Sequence, residues 1–214
     1  MATFKNTIGS EFPGYIKTQL TKRSEITQKS NRTAKDILWL TNRTGWYRVT
    51  SGAVIGKDKD DSLAKSAILQ GGTVRSAGNG EINLRDTFSE SYIRTNELGF
   101  RPMPNISDIS VGTGGRWQTL LQAEITIQAY DLTQLELISK LYMSLGVHIF
   151  IEWGHAPYVD NSGKIQTSTI RPIDFFKFRN PTGLTKGLLQ EISRVKDKYD
   201  GNYEAMIGRV YNFD

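Results

Sequence analysis

The sequence has no cysteine among its 214 residues, which excludes disulfide bonds, thiolate metal sites and a cysteine nucleophile. It has no apolar run of about eighteen residues, the length at which a segment becomes a candidate membrane-spanning helix. Residues 1–15 lack the apolar segment of a secretory signal peptide. The phosphate-binding Gly-Lys-Ser/Thr motif and the G-x-S-x-G nucleophile elbow are both missing, so the sequence shows no P-loop and no serine-hydrolase signature.

Apolar residues make up 38% of the chain and charged residues 23%, proportions typical of a folded globular domain. The positive charge is concentrated near the N-terminus. Residues 1–49 carry nine basic and three acidic side chains, and their net charge of +6 leaves the remainder close to neutral. Such a segment binds nucleic acid, binds an acidic protein surface, or is simply solvated.

The first 35 residues are predicted to form an extended basic arm, and residues 36–214 to form the folded domain. The arm has only a weak apolar pattern at loosely helical spacing, and a pattern of this strength rarely folds alone. We therefore expect it to lie on its own domain or on a neighbour. Its apolar members are Phe12, Tyr15, Ile16, Leu20 and Ile26.

A strand–helix–strand unit is the clearest local pattern. Apolar residues alternate with polar ones from Leu121 to Ala129, which predicts a half-buried strand. At Asp131 the period changes to three and four, with Asp131 as helix cap and Gln134 at the capping-box position. Gly146 follows where a helix commonly ends in a left-handed residue. A second apolar strand then begins at Val147.

The remaining segments predict further strands and helices, and together they indicate an α+β fold that is mainly β. Ile37–Thr41 and Trp46–Ile55 are predicted strands around a turn at Asn42–Gly45, and Ser62 begins a short predicted helix that Gly71 and Gly72 end. Later predictions are a strand before Phe178, a helix carrying an apolar side, a turn at Asp200–Gly201 or Gly201–Asn202, and a strand from Tyr203. The apolar side of that helix consists of Leu184, Leu188, Leu189, Ile192 and Val195.

Both histidines of the chain, His148 and His155, flank Glu152. In a strand, His148 and Glu152 share one face but stand roughly 13 Å apart at about 3.3 Å per residue, too far to share a metal. We therefore predict no metal, no cofactor and no catalytic residue here. The interpretation is a buried strand, with Val147, Ile149, Ile151 and Trp153 on one face and with hydrogen-bond partners for Glu152 and the Trp153 indole near its end.

One catalytic alternative stays open. A glycosidase needs two carboxylates across a cleft, and Glu152 with Asp160 or Asp174 is a candidate for such a pair. Acidic residues after strands are, however, more often caps and turn residues. A DNA-binding domain acting through residues 1–49 is another alternative, although no aromatic–basic pattern of a nucleic-acid module accompanies the charge.

Three segments carry a resemblance to a known family. They are "RPMPNISDISV", "AEITIQAYDLTQLELISKLYMSLGVHIFIEWG" and "GNYEAMIGRVYNFD". Their order resembles that of hub-type baseplate proteins of contractile phage tails, in which a long strand leads to a helix, then to an apolar strand ending in Glu-Trp-Gly. In that family a Gly-Asn-Tyr turn precedes a strand ending in Val-x-Asn-Phe. The resemblance covers residues 100–214 and, weakly, residues 37–55.

The resemblance implies a virion structural protein without catalytic activity. Its fold would be a tail-tube-like barrel, a curved sheet with packed helices, that continues beyond residue 214. Copies would form a ring, a trimer or hexamer, joining the tail tube to the spike and to other baseplate proteins, with no membrane and no specific nucleic acid as partner. The protein would be made in the host bacterial cytoplasm and end in the tail.

The predicted assembly interface combines the basic arm with the C-terminal aromatic residues, because exposed strand edges invite pairing with a neighbour. It consists of Phe12, Tyr15, Ile16, Leu20, Tyr211 and Phe213. The alternative to a structural role is a tail-associated cell-wall hydrolase that uses Glu152 and a second carboxylate.

Overall fold

A computed structural model describes residues 14–54, 64, 67–72, 94–95, 99–100, 104–114, 120–166, 170–180, 183–184 and 187–213. The fold is α+β, as the sequence predicts, but its helix and strand contents are roughly equal, so it is not mainly β. Its described α-helices are α1 (Gly14–Gln28), α2 (Ala34–Asn42), α3 (Leu132–Tyr142) and α4 (Gly187–Lys198). A short 3-10 helix spans Phe175–Phe178.

Twelve strands lie within the described part of the chain. The longer ones are β1 (Thr44–Ser51), β2 (Leu69–Gly72), β5 (Asn105–Gly114), β6 (Leu120–Gln128), β7 (His148–Ala156) and β12 (Tyr203–Arg209). The two-residue strands are β3 (Arg94–Thr95), β4 (Gly99–Phe100), β8 (Tyr158–Val159), β9 (Ile165–Gln166), β10 (Arg179–Asn180) and β11 (Gly183–Leu184).

The main sheet has four strands in the order β12-β7-β1-β2, and the pairs of neighbouring strands are antiparallel. Within the described residues this sheet is open, so the predicted barrel does not close. A sheet closes only when its first and last strands pair, and here β12 and β2 stand at opposite edges. The other sheets are two-stranded hairpins.

Strand β7 is buried on both faces, which explains its nearly continuous apolar sequence. One face carries Ile149 and Ile151, which pack with Leu141 of α3. The opposite face carries Phe150, which packs with Leu188 and other residues of α4. The predicted alternation is therefore confirmed, and the sheet lies between a layer containing α3 and a layer containing α4.

The two helices that cover the sheet lie within the segments that their sequences indicate, but Leu184, predicted on the apolar side of the second helix, lies in β11. Asp131 caps α3, and its side chain accepts a hydrogen bond from the Gln134 backbone N–H at 2.8 Å. In α4 the buried residues are Leu188, Ile192 and Val195, a spacing of four and three that keeps them on one helix face. Of the apolar side predicted for this helix, Leu189 is exposed.

The hairpin β5–β6 is the second large β element. Its ladder runs from Asn105 opposite Gln128 to Gly114 opposite Leu120, with a register shift between Ile106 and Asp108. Its base packs on the core beside β2, but strands β6 and β7 belong to different sheets. Helix α3 therefore connects the hairpin to the sheet and does not cross between neighbouring strands.

The N-terminal segment differs from the extended arm that its sequence indicates, because residues 14–28 form helix α1 against the rest of this chain. The Gln19 side chain is buried and its amide donates to the Val159 carbonyl at 2.7 Å. Ile26 packs with Trp39 and Val159 in a small apolar cluster. These contacts supply the surface that the weak apolar pattern needs in order to become helical.

Three local predictions are wrong. The segment predicted as a strand at Ile37–Thr41 belongs to helix α2, because Thr33 and Asp36 form a capping box that starts a helix there. The end of the short helix predicted from Ser62 is strand β2, which pairs with β1. The aromatic run at Phe175–Phe178 is 3-10 helix, and Phe175 is buried against Phe150.

Candidate functional site

Glu152 lies in the sheet interior and is completely buried. Its Oε1 accepts hydrogen bonds from the Ile173 backbone N–H at 2.7 Å and from the Tyr203 hydroxyl at 2.8 Å. Its Oε2 has no hydrogen-bond partner among the described residues. The carboxyl group therefore connects three segments: β7, the segment before the 3-10 helix, and the edge strand β12.

Burial raises the pKa of Glu152 above its usual value, and this effect exceeds the opposing hydrogen bonds from Ile173 and Tyr203 and the positive charge of Arg48. Arg48 stands opposite Glu152 in the β1–β7 ladder. Burial, together with the carboxylate, also raises the pKa of the Tyr203 hydroxyl. Burial therefore shifts Glu152 towards its neutral form relative to a carboxyl group in water.

The end of β7 requires a glycine next to this site. A Cβ on Gly154 would lie 2.8 Å from the Trp46 Nε1 and 2.8 Å from the Asn202 carbonyl, closer than real Cβ atoms come. The Trp46 ring packs over this position, 6.3 Å from the Tyr203 ring. Packing against Trp46 and Asn202 therefore requires the glycine of the Glu-Trp-Gly sequence.

The residues considered for metal binding and catalysis do not converge. His148 accepts a hydrogen bond from the Arg209 Nε at 3.0 Å, whereas His155 is exposed at the other end of β7. Asp160 closes a turn, where it accepts hydrogen bonds from Ser162, Lys164 and Gln166. Across the described residues, no group of three or more His, Asp or Glu side chains could hold a metal.

Asp174, the other suggested partner of Glu152, is half exposed and forms an ion pair with Lys177 at 3.3 Å. It follows Ile173, whose N–H donates to Glu152, but its own carboxylate is turned to solvent. The two carboxyl groups therefore occupy different environments, since that of Glu152 is buried and that of Asp174 is exposed to solvent.

The edge strand β12 is the more accessible feature. The backbone N–H of Val210 donates to Val147, and the carbonyl of Asn202 accepts from His155, so the even-numbered residues direct their backbone groups towards β7. The intervening residues direct theirs away from β7 because the direction alternates along a strand. In the described part of the chain no strand pairs with that side. The residues whose backbone N–H and C=O groups point away from β7 include Tyr203, Ala205, Ile207 and Arg209.

Exposed aromatic side chains follow this edge directly. Tyr211 is 72% exposed and Phe213 is 48% exposed. Leu145, which is 66% exposed, precedes Gly146, whose N–H donates to the Val210 carbonyl. We define the edge surface as the outer side of β12 with Leu145, Tyr211 and Phe213.

The far end of the β5–β6 hairpin is a second exposed apolar feature. Leu120 and Leu121 are each more than half exposed, and Val111 on the facing strand is exposed as well. Sequence reasoning missed these residues and Leu145. The alternation of β6 counts Leu121 as a core position, and only the three-dimensional position of the hairpin shows that the core ends before this residue.

The predicted interface residues of the arm have mixed positions. Phe12 and the side chain of Tyr15 lie outside the described residues. Ile16 is half-buried and Leu20 is exposed on α1. Tyr211 and Phe213 belong to the edge surface, and the joint interface of all six residues stays a prediction.

No described helix is long and apolar enough to cross a bilayer. Comparison of the chain with known protein families, characterised proteins and solved structures gives no match.

Proposed function

We propose that this chain is a structural protein of a contractile phage tail, a baseplate hub or an adjacent component that assembles into a ring between the tail tube and the spike. The observation that carries the proposal is the side of β12 with which no described strand pairs, continued by the exposed Tyr211 and Phe213. The resemblance of residues 100–214 to hub-type proteins supports the choice of this kind of assembly.

Unpaired backbone donors and acceptors on a strand edge are satisfied when another chain adds a strand. In a head-to-tail ring every copy offers an edge and receives one, so closure removes all free edges. The exposed apolar end of the β5–β6 hairpin supplies a second contact on each copy. Isolated two-stranded ribbons are marginally stable in water, so a neighbour that covers the hairpin would also stabilise it.

The position of Glu152 supports a structural role. Its carboxyl group is completely buried and hydrogen-bonded to two other segments, which suits a group that fixes strands together. A polymeric substrate would need an open cleft leading to it.

The edge is tested with two variants at one exposed position. Arg209→Pro removes an N–H that points away from β7, so the main sheet keeps its hydrogen bonds to β12. Arg209→Ala removes the same side chain and keeps that N–H. We expect the wild type and Arg209→Ala to form closed oligomers in analytical ultracentrifugation and negative-stain images, and Arg209→Pro to shift towards monomer. A wild-type chain that stays monomeric at high concentration, or equal assembly of the two variants, contradicts the edge mechanism.

The place of the protein is tested in tail particles. We expect mass spectrometry of purified tails to find the chain in a fixed ratio to the tube protein. In particles that lack the chain, we expect tail tubes that are not joined to the spike. A peptidoglycan-release assay with the wild type and Glu152→Gln is the counter-test. Lysis by the wild type that Glu152→Gln abolishes would replace the structural role by a hydrolase.

A further inference from the structure

Three basic residues lie where α1, the end of α2 and the end of β7 come together. Arg23 projects from α1, and its Nη2 donates to the Asn202 Oδ1 at 2.7 Å. The backbone N–H of His155 donates to the carbonyl of the same asparagine at 3.2 Å. Arg43 follows α2 and precedes Gly45, which pairs with His155 in the β1–β7 ladder. We call Arg23, Arg43 and His155 the basic cluster.

Contacts within the fold hold the two arginines in place. The Arg43 guanidinium lies 5.6 Å from the centre of the Trp39 ring, a cation–π contact on a buried indole. Arg23 is half-buried, and its Nε has no hydrogen-bond partner among the described residues. Arg43 and His155 are exposed, so they can present donors to a ligand from solution.

The positive charge of the basic cluster has no counterpart in the described structure. No described carboxylate forms an ion pair with any of the three, and the acidic side chains of α1 and α2, Glu25 and Asp36, pair with Lys22 and Lys29 instead. Burial lowers the pKa of Arg23, and the neighbouring Arg43 lowers it further. Partial burial likewise lowers the pKa of His155, with added contributions from Arg43 and then Arg23. Like charges held together without a counter-ion are costly, and a bound anion offsets that cost.

We infer that the basic cluster is a binding site for an oxyanion of the phosphate class, held by the exposed Arg43 guanidinium and the His155 imidazole beside the fixed charge of Arg23. A guanidinium presents a planar fork of donors that matches phosphate oxygens. Two permanent charges plus a histidine that gains a proton match a dianion better than a monoanion.

The two histidines of the chain allow this inference to be tested within one molecule. His148 also lies beside an arginine, Arg209, but at the far end of β7 from the basic cluster. The ring C–H resonances of both are followed by NMR across a pH titration, in sodium phosphate, sodium sulfate, sodium acetate or sodium chloride at equal ionic strength. A bound dianion favours protonated His155. We expect its pKa to rise by about half a unit or more in phosphate or sulfate relative to chloride, with His148 unmoved.

Variants identify the residues responsible. Arg43→Gln should remove the phosphate response of His155, and Arg209→Gln should leave it unchanged. Because Arg43 is exposed, the fold should tolerate this change. If Arg43→Gln fails to fold, Arg43→Lys keeps the charge without the fork and should weaken the response several-fold. Equal shifts of both histidines, an equal response to acetate, or a full response in the folded Arg43 variant would each overturn the inference.

Discussion

Replacing Glu152 tests whether this residue holds the sheet interior together. Glu152→Ala leaves the Ile173 N–H and the Tyr203 hydroxyl without their acceptor, and both groups are buried in the wild type. A buried donor that loses its partner costs about 1–3 kcal/mol, so two donors cost about 2–6 kcal/mol before any cavity is counted. We therefore expect Glu152→Ala to lower the free energy of unfolding by at least about 2 kcal/mol.

Glu152→Gln separates hydrogen bonding from charge. The glutamine carbonyl can still accept from Ile173 and Tyr203, but it does not titrate. In the wild type the folded-state pKa of Glu152 is raised above the ordinary 4.5. Its contribution to stability is therefore fully present below the unfolded-state pKa and is lost as pH rises through the folded-state value. We expect the stability of Glu152→Gln relative to the wild type to improve steadily from pH 4.5 upwards.

The measurement is urea unfolding followed by circular dichroism at pH 4.5, 6 and 8, for the wild type and both variants. The difference between the wild type and Glu152→Gln at each pH cancels the titration of the histidines, which is common to both proteins. An unfolding free energy of Glu152→Ala within about 0.5 kcal/mol of wild type would refute the reasoning, since surface substitutions cost that little. A difference between the wild type and Glu152→Gln that does not change with pH would refute the electrostatic part.

Three further predictions concern local structure, and urea unfolding checks each. Asp131→Ala should cost about 1 kcal/mol, because it removes the cap of α3. Gly146→Ala should cost about 1 kcal/mol because Gly146 has φ +80, whereas Gly208→Ala, equally free of neighbouring atoms, should cost less. Asn202→Ala should cost about 2–3 kcal/mol, since this buried amide donates to backbone carbonyls and accepts from Arg23; a cost below that of Gly146→Ala would contradict the role assigned to it.

The elements that the sequence predicts correctly depend on local signals. Strand β7 alternates with period two, so its two faces follow from counting residues. Helix α3 begins at a capping aspartate and carries an apolar repeat. The turn before β12 has positive φ at both Asp200 and Gly201, as an Asp-Gly pair allows.

The failures have two causes. At α2 the run from Ile37 to Leu40 has the residue types of a strand, but the capping box of Thr33 and Asp36 starts a helix, and that signal was readable in the sequence. The position of β2 beside β1 and the exposed end of the hairpin depend on contacts between distant segments. No window of sequence contains that information.

The order of strands relates the buried carboxyl group of Glu152 to the edge strand β12. Strand β12 is the outermost strand, and Tyr203 at its start gives its hydroxyl hydrogen to Glu152 in the strand next to it. The same strand is therefore fixed to its own sheet by a side chain, whereas no described strand pairs with the backbone of its outer side. An edge that is to receive a neighbouring chain has to be held in register against its own sheet, because a slip of one residue would turn Tyr203 to the opposite face. Glu152 opposes such a slip, since only the present register brings the Tyr203 hydroxyl to its Oε1.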